Sequence, residues 1–330
     1  MSSIQVSVII PAYNASATIA KTLTALAQQD CSQPYEIIVV DDGSTDDTAQ
    51  AVQSFPKVKY VHQENAGPAS ARNHGAQLAQ GQFLAFTDAD CTPHRDWLSC
   101  LMRGFDNNVA VVCGSYGIAN PENYLAKCVH AEIVYRHRYL VPDFPKVFGS
   151  YNFCVRKNIF EAVGGFNTAY RRASGEDNDL SYKIFKTGQR IYFQRQALVD
   201  HRHPTQVSRY LQEQFRHGFW RVSMYADHPQ MARGDGYTFW KDIVEVPWAG
   251  CCCAGMLLAF LGFIRVDSII YFLLGPLLAL EILAAYFLMR DVYGGFFFGF
   301  VLFLRAFARL FGFSTGILAF LAEKHAKKIK

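Results

Sequence analysis

The sequence has no long run of basic residues before its last eight positions, "EKHAKKIK" (323–330), and its formal net charge is only +4. Nucleic-acid binding needs clustered lysine and arginine side chains, so this distribution argues against nucleic acid as the main partner. A basic tail that directly follows an apolar segment is more typical of a chain that meets an anionic membrane surface. We therefore expect a lipid bilayer, and no nucleic acid, among the partners.

Cysteine spacings typical of disulfide frameworks or of zinc sites are also absent. The 9 cysteines include no CxxC pair, and the three at 251–253 lie inside an apolar segment, where we interpret them as small packing residues. The first residues, "MSSIQVSVIIPAYN", lack the basic start and the long apolar core of a secretory signal. Both features predict an N-terminal region that stays in the cytosol.

Apolar residues concentrate toward the C-terminus. The stretches 243–264 and 268–289 each approach the ~20 residues that cross a bilayer, and they predict a helical hairpin. A third stretch, 294–322, contains Arg305 and Arg309, which favour an interfacial or re-entrant segment because arginine at mid-membrane is costly. Two crossings would leave both the N-terminal region and the basic tail in the cytosol, and three crossings are the alternative. We expect a multi-pass protein of the cytoplasmic (inner) membrane.

The N-terminal half alternates strand and helix patterns. Apolar runs at 6–10, 36–40, 58–62 and 83–87 predict buried strands, and helical patterns follow them, the first with Ser16 as a candidate cap. This alternation predicts an α/β domain with a mostly parallel sheet and helices on both faces. Ligands bind beyond the carboxyl ends of the strands in such sheets. Four aspartates lie at such ends and are expected to converge: Asp41, Asp42, Asp88 and Asp90.

The stretch "FLAFTDADC" ends a predicted buried strand with two like charges, Asp88 and Asp90, separated by Ala89. Like charges in contact repel each other, so a cation is expected between them or beside them. Hard carboxylate oxygens suit Mg²⁺ or Mn²⁺, and such an ion can bind a diphosphate. The alternative is a solvated turn that caps the next helix.

A second acidic cluster, "VVDDGSTDDT", follows another predicted strand. The carboxylate of Asp41 or Asp42 can accept hydrogen bonds from a nucleobase or a ribose hydroxyl. Asp46 and Asp47 are better explained as helix-capping residues. In "GPASARNHG", Arg72 opens a helix, where its guanidinium could reach a phosphate or pair with Asp90.

Together these stretches resemble the family 2 glycosyltransferases, which have the GT-A fold. The resemblance is carried, in the expected order, by "VSVIIPAYN", "EIIVVDDGSTDDT", "NAGPASARNHG", "FLAFTDADC", "VGGFN" and "GED". It covers most of residues 4–205, and six motifs in order are more specific than any one of them. It implies a GT-A catalytic domain over 1–228, a linker at 229–242 and a membrane region over 243–330.

The resemblance also implies roles for individual residues. The nucleotide-sugar donor would be bound by Pro11, Ala12, Tyr13, Asp41, Asp42, Arg72, Asp88 and Ala89. Asp90 would hold the metal ion, Mn²⁺ or Mg²⁺, with His201 of "DHRHP" as a second ligand. Asp177 of "GED", with Glu176 beside it, would be the general base. The acceptor side would be bordered by Gly165, Phe166 and Trp220.

These roles imply an inverting, metal-dependent glycosyltransferase. It would move one sugar from a UDP-linked donor to a lipid-linked or cell-envelope glycan acceptor at the cytosolic membrane face. Processive members carry Gln-x-x-Arg-Trp, which the nearest stretch, "QFRHGFW" (214–220), lacks. One alternative is a sugar nucleotidyltransferase, although "PAYNASATIAK" lacks the glycine-rich, basic loop expected after the first strand. The other is a non-catalytic membrane scaffold, although all the expected acids are present.

Overall fold

The computed structural model describes residues 4–170, 175–229 and 240–329. The chain forms two compact units. The sheet unit comprises Met1–Asn120 and Val141–Arg202, and the helical unit comprises Pro121–Leu140 and His203–Lys330. The segment Pro121–Leu140 therefore leaves the sheet unit in mid-sequence and packs with helices that come later in the chain.

The unit boundaries differ from the predicted domain boundary at residue 228, because 121–140 and 203–228 group with the C-terminal helices. Most of the predicted linker lies outside the described residues, and so do the side chains of the predicted basic tail. The division into a catalytic domain, a linker and a membrane region stays a prediction.

Eight strands in the described part of the sheet unit form one mixed sheet. They are β1 (Val6–Ala12), β2 (Tyr35–Asp41), β3 (Val58–His62), β4 (Phe83–Thr87), β5 (Cys91–Pro93), β6 (Val109–Ile118), β7 (Asn152–Arg156) and β8 (Arg190–His201). Their order across the sheet is β3-β2-β1-β4-β7-β6-β8-β5. The first four strands run parallel, whereas β7 is antiparallel to both of its neighbours and β5 is antiparallel to β8.

The helices, in chain order, are α1 (Ile19–Ala27), α2 (Thr48–Gln53), α3 (Pro68–Leu78), α4 (Trp97–Arg103), α5 (Tyr124–Tyr139), α6 (Lys157–Ala162), α7 (Glu176–Lys186), α8 (Val207–Asp227), α9 (Trp240–Phe260), α10 (Val266–Ile269), α11 (Gly275–Met289) and α12 (Val292–Ile329). A π-helical turn, Ile270–Leu274, joins α10 to α11. The helical unit contains α5 and α8 to α12, and the other helices belong to the sheet unit.

The sheet is buried on both faces, which explains the continuous apolar runs of its central strands. Along β1, Val8 and Ile10 pack into one core layer, whereas Ile9 packs into the layer on the opposite face. In β2, Val39 and Ile38 divide in the same way between the two layers. A strand with helices on only one side would instead alternate apolar and polar residues.

The strand bounds at 58–62 and 83–87 are confirmed, but the predicted cap of the first helix is wrong. α1 begins at Ile19, and the residue before it, Thr18, makes no side-chain capping bond. Ser16 lies in the preceding loop, where its backbone N–H donates to the Asp46 carboxylate at 3.1 Å. This long-range bond holds Ser16 away from the position that a cap requires.

The helical unit contains three helical segments long and apolar enough to cross a membrane: Trp240–Phe260, Val266–Met289 and Val292–Ala322. They correspond to the three predicted apolar stretches. The number of crossings and their orientation stay predictions. Arg305, whose cost at mid-membrane favoured an interfacial third segment, is 1% exposed and ion-paired with Glu132 and Glu245.

α8 packs along α12 at unusually close range. A Cβ atom built on Gly312 of α12 would lie 2.0 Å from the backbone oxygen of Phe215 in α8. One turn later, a Cβ on Gly316 would lie 2.4 Å from the backbone oxygen of Phe219. Small residues spaced four apart let two helix backbones approach closely, as in many membrane helix pairs.

We expect Gly312→Ala to destabilise the protein by about 1–3 kcal/mol, because the new methyl group would overlap the backbone of α8. The measurement is thermal or denaturant unfolding in detergent. The control is Gly250→Ala in α9, where the nearest atom to a new Cβ is 3.7 Å away. That change should be neutral or stabilising by up to about 1 kcal/mol, since alanine is the better helix former. Equal effects of the two changes would contradict the close packing.

Candidate functional site at the carboxyl ends of the strands

The predicted convergence of strand ends is present in the sheet unit. β1 lies between β2 and β4, and Ala12 is in register with Asp41. The Asp42 N–H donates to the Ala12 carbonyl at 2.8 Å, and this bond holds the carboxyl ends of β1 and β2 side by side. Next to them, Tyr13 is 54% exposed, so its ring is available to a ligand at this edge.

Asp41 and Asp42 are buried and organise the loops around them. Asp41 accepts hydrogen bonds from the Ser44 N–H at 2.9 Å and from the Tyr60 hydroxyl at 2.7 Å. Burial and the Asp41 carboxylate together raise the pKa of Tyr60 to about 12. Asp42 accepts from the backbone N–H groups of Ala66 and Gly67, both at 2.9 Å. Asp42 also accepts from the Gln63 side-chain amide at 2.7 Å. Because both carboxylates are buried, their contact with a nucleotide stays a prediction.

Arg72 is buried at the start of α3 and joins two acidic groups that are far apart in sequence. Its Nη2 lies 2.8 Å from the Asp88 carboxylate, and its Nη1 lies 3.0 Å from the Glu176 carboxylate. The suggested pairing with Asp90 is therefore wrong, because the guanidinium faces Asp88 instead. Sequence reasoning missed the link to Glu176, which connects residues 104 positions apart.

α3 also holds the "VGGFN" turn. The side-chain amide of Asn73 donates to the Phe166 carbonyl at 2.8 Å and accepts from the Phe166 N–H at 2.9 Å. The Phe166 ring packs within 5.4 Å of the Arg72 guanidinium. Gly165 and Phe166 therefore lie beside the Arg72 group in the sheet unit. Trp220 lies on α8 of the helical unit, and its place on the acceptor side stays a prediction.

Asp177 lies in the first turn of α7, next to Glu176. Burial, and after it the adjacent Glu176 charge, raise the pKa of Asp177 to about 7. The Asn178 N–H, which donates to the Asp177 carboxylate at 2.8 Å, and the Arg72 charge oppose this shift in pKa. A carboxylate with a pKa near neutrality can accept a proton at physiological pH and release it again.

Asp90 and His201 meet beside the strand ends, together with Cys91. Cys91 of β5 is in register with His201 of β8, and one ligand atom from each of the three residues lies within 4.8 Å of the others. The Nε2 of His201 is 3.9 Å from the nearer Asp90 oxygen. The Asp90 carboxylate suits Mn²⁺ or Mg²⁺, and an imidazole ligand favours the transition-metal ion of the two. Burial and the charges of Asp88 and Asp90 raise the pKa of the Cys91 thiol well above its ordinary value, so this thiol stays protonated and is a poor ligand.

Sequence reasoning missed Cys91, although its place directly after Asp90 was visible. Only its position next to Asp90 could have pointed to Cys91, because it belongs to no cysteine motif. Sequence analysis also did not single out His94. Its Nε2 lies 3.0 Å from the carboxylate of Asp200, the residue that directly precedes His201. His203 belongs to the helical unit, where it is buried 3.3 Å from His130, so only His201 of the "DHRHP" histidines belongs to the sheet unit.

Comparison with known proteins gives one matching family model, Glycosyl transferase family 2, over residues 7–177. The pre-mycofactocin glycosyltransferase of Mycobacterium tuberculosis is 31% identical over 237 residues, which are 68% of this chain and 48% of that protein. The validoxylamine A glucosyltransferase of Streptomyces hygroscopicus is 31% identical over 217 residues, which are 55% of this chain and 51% of that protein. The chain spans about half the length of these relatives.

Among solved structures, the chain resembles the mannosyltransferase PcManGT from Pyrobaculum calidifontis, determined in complex with GDP-Man and Mn²⁺. The TM-score is 0.58 at 22% identity, and the similarity covers 94% of this chain and 88% of that one. At this level of identity the similarity concerns the fold.

We expect His201→Gln and Asp90→Asn each to weaken Mn²⁺ binding by about 10–100-fold or more, because each removes a ligand of the proposed ion. Free Mn²⁺ can be measured by electron paramagnetic resonance, with and without a nucleoside diphosphate. His62→Gln is the control for the measurement without nucleotide, since that imidazole is 58% exposed and lies 3.9 Å from Asp41, which is not a proposed metal ligand. Unchanged Mn²⁺ affinity in His201→Gln would contradict the site.

Proposed function

The chain belongs to glycosyl transferase family 2, and from this premise we propose that it is an inverting, metal-dependent glycosyltransferase. It moves a single sugar from a nucleotide-sugar donor, UDP-linked, to a lipid-linked or cell-envelope glycan acceptor. The predicted GT-A fold with a C-terminal helical region is confirmed. The donor, the acceptor and the membrane face are parts of the proposal.

One observation carries this proposal. Arg72 pairs with both Asp88, at the end of β4, and Glu176, at the start of α7. Since Asp177 follows Glu176 directly, this pairing brings the proposed base to the same edge of the sheet as the proposed donor site. An inverting transfer needs one base and one in-line attack, so these two parts must lie side by side.

In the proposed reaction, Asp177 accepts the proton of an acceptor hydroxyl as that oxygen attacks the anomeric carbon. The bond between the anomeric carbon and the diphosphate oxygen breaks, and the nucleoside diphosphate leaves from the opposite face. The strand-end residues Tyr13, Asp41 and Asp42 orient the nucleoside. Asp90 and His201 would hold the divalent ion, which neutralises the departing diphosphate when it is bound.

The three candidate membrane spans support an enzyme that is anchored at the membrane, where a lipid-linked acceptor would be found. In the proposed topology the sheet unit faces the cytosol, where nucleotide sugars serve as donors. Absence of the Gln-x-x-Arg-Trp pattern supports transfer of one sugar rather than processive synthesis.

The proposed function is tested by thermal unfolding of the detergent-purified protein with UDP, GDP, dTDP and CDP, each with and without Mn²⁺. A nucleotide that binds only the folded state stabilises it by ~2.7 kcal/mol at a hundredfold excess over its dissociation constant. We expect a Mn²⁺-dependent shift with UDP that is lost in Asp90→Ala. A shift with GDP alone would reassign the donor, and no shift with any of the four would contradict the proposal.

We expect the rate of transfer to rise with pH through about 7, because only the ionised Asp177 can accept a proton and its pKa is raised to about 7. Asp177→Asn should lower kcat by about 10²–10⁴-fold and remove this dependence. Asp179→Asn on the same helix, with its carboxylate paired to Lys183 at 2.7 Å, is the control for loss of a charge. Release of pyrophosphate instead of a nucleoside diphosphate would indicate a nucleotidyltransferase.

A further inference from the structure

The proposed metal ligands Asp90 and His201 come from two chain segments that meet at one edge of the sheet. Asp90 directly precedes β5, and His201 is the last residue of β8. β5 has only three residues and is the outermost strand at this edge, next to β8. The distance between the two ligands therefore depends on how firmly β5 is held against β8.

The backbone pairing of β5 with β8 is short. The strands are in register at three positions, Cys91 with His201, Thr92 with Asp200 and Pro93 with Val199. Proline has no N–H group, so Pro93 adds no donor to the ladder. Beyond it, the His94 N–H donates to the Leu198 carbonyl at 3.0 Å. So few backbone bonds give the edge strand little protection against local opening.

One side-chain hydrogen bond reinforces this pairing. The Nε2 of His94 lies 3.0 Å from the Asp200 carboxylate, diagonally across the two strands. An ionised carboxylate can only accept, so the imidazole donates. Diagonal side-chain pairs between antiparallel strands are close enough to stabilise the pairing of the strands.

The neighbouring strand β6 leaves room for the Asp200 carboxylate. Gly117 of β6 is in register with Asp200 of β8. A Cβ atom on Gly117 would lie 1.9 Å from Oδ1 of Asp200, so a larger residue at this position would displace the carboxylate. The glycine therefore lets Asp200 take the position in which it accepts from His94.

The segment that contains Asp90 is also held by α1. The Thr22 hydroxyl donates to the Ala89 carbonyl at 3.0 Å, and the Gln29 side-chain amide donates to the His94 carbonyl at 2.8 Å. These bonds attach the backbone of the segment to α1, but they do not determine where the end of β8 lies. The His94 side chain connects the segment to that end.

We propose that His94 and Asp200 are positioning residues of the metal site: their hydrogen bond holds the end of β8 in register with β5, so that His201 stays opposite Asp90. Successive side chains of a strand point to opposite faces, so Asp200 and His201 lie on opposite sides of β8. The pair therefore acts through the register of the strands and not as metal ligands. This inference rests on the proposed function, which supplies the divalent ion.

The test uses the full-length protein in detergent. His94→Ala and Asp200→Ala each remove the hydrogen bond, and a double variant removes both partners. Asp200→Asn removes the charge but keeps an oxygen that can accept from His94. The control is Asp143→Ala, since that carboxylate pairs with Arg195 of the same strand, β8. Thermal unfolding, Mn²⁺ affinity by electron paramagnetic resonance and metal-free hydrogen exchange of segment 88–96 are measured for each protein.

We expect His94→Ala and Asp200→Ala each to weaken Mn²⁺ binding by about tenfold and to speed hydrogen exchange in segment 88–96. The double variant should be no weaker than either single variant, because the two residues act through one bond. Asp200→Asn and the control should match the wild type in both measurements.

A different pattern would show that Asp200 attracts the ion only by its charge. Asp200→Asn would then weaken Mn²⁺ binding as much as Asp200→Ala, and His94→Ala would leave it unchanged. That pattern overturns the inference, and so does unchanged affinity in both folded alanine variants. The two side chains are 40% and 33% exposed, so their truncation should leave the protein folded. If one alanine variant fails to fold, the other decides, since both remove the same bond.

Failure of the proposed function gives a separate result. The wild type itself would then bind no Mn²⁺, with or without a nucleoside diphosphate, and the positioning role would fail with the ion. Hydrogen exchange of segment 88–96 in the metal-free variants would still show whether the bond between His94 and Asp200 holds β5 against β8.

Discussion

The buried Arg72 guanidinium is the contact on which the arrangement of the site depends. Carboxylates gather where neighbouring parallel strands end, and without a cation they would repel each other and the start of α7. Arg72 lies between Asp88 and Glu176 at 2.8 and 3.0 Å and is itself only 2% exposed. Separating Arg72 from either carboxylate would leave a buried charge without its partner. The two ion pairs therefore hold the positions of all three side chains.

The helical unit follows the same physical rule with more charges. Its apolar helices contain Lys241, Asp242 and Glu245 near the start of α9, and Arg305 and Arg309 in the middle of α12. Each of these charges would be unfavourable alone in an apolar setting. Their mutual contacts explain why charged residues interrupt the apolar stretches: these residues lie where the helices meet.

Much of the sheet unit could be predicted from the sequence because its signals are local. A strand that is buried on both faces gives a continuous apolar run, and two of the predicted strands, 58–62 and 83–87, have the bounds found in the structure. The parallel arrangement then places Asp41, Asp42 and Asp88 at one edge. The antiparallel strands β5 and β7 were not predicted, since their order in the sheet depends on contacts between distant segments.

The parts that could not be predicted are long-range pairings between charged residues. Arg72 and Glu176 are separated by 104 positions, and Glu132 and Arg305 by 173. No period or turn pattern connects such residues, and an arginine in an apolar stretch is compatible with both exposure and burial. The cost of an unpaired arginine at mid-membrane favours an interfacial helix for Arg305, whereas the structure buries this side chain against Glu132 and Glu245.

The two adjacent acids of "GED" show how one cation can assign different roles to neighbours. Glu176 is paired with Arg72 through one carboxylate oxygen, and its other oxygen accepts from the Gly175 N–H at 3.1 Å. Asp177 experiences burial and the Glu176 charge, which together bring its pKa to about 7. A proton acceptor must be neither fully stabilised as an anion nor permanently protonated. With a pKa of about 7, Asp177 meets this condition for the proposed role.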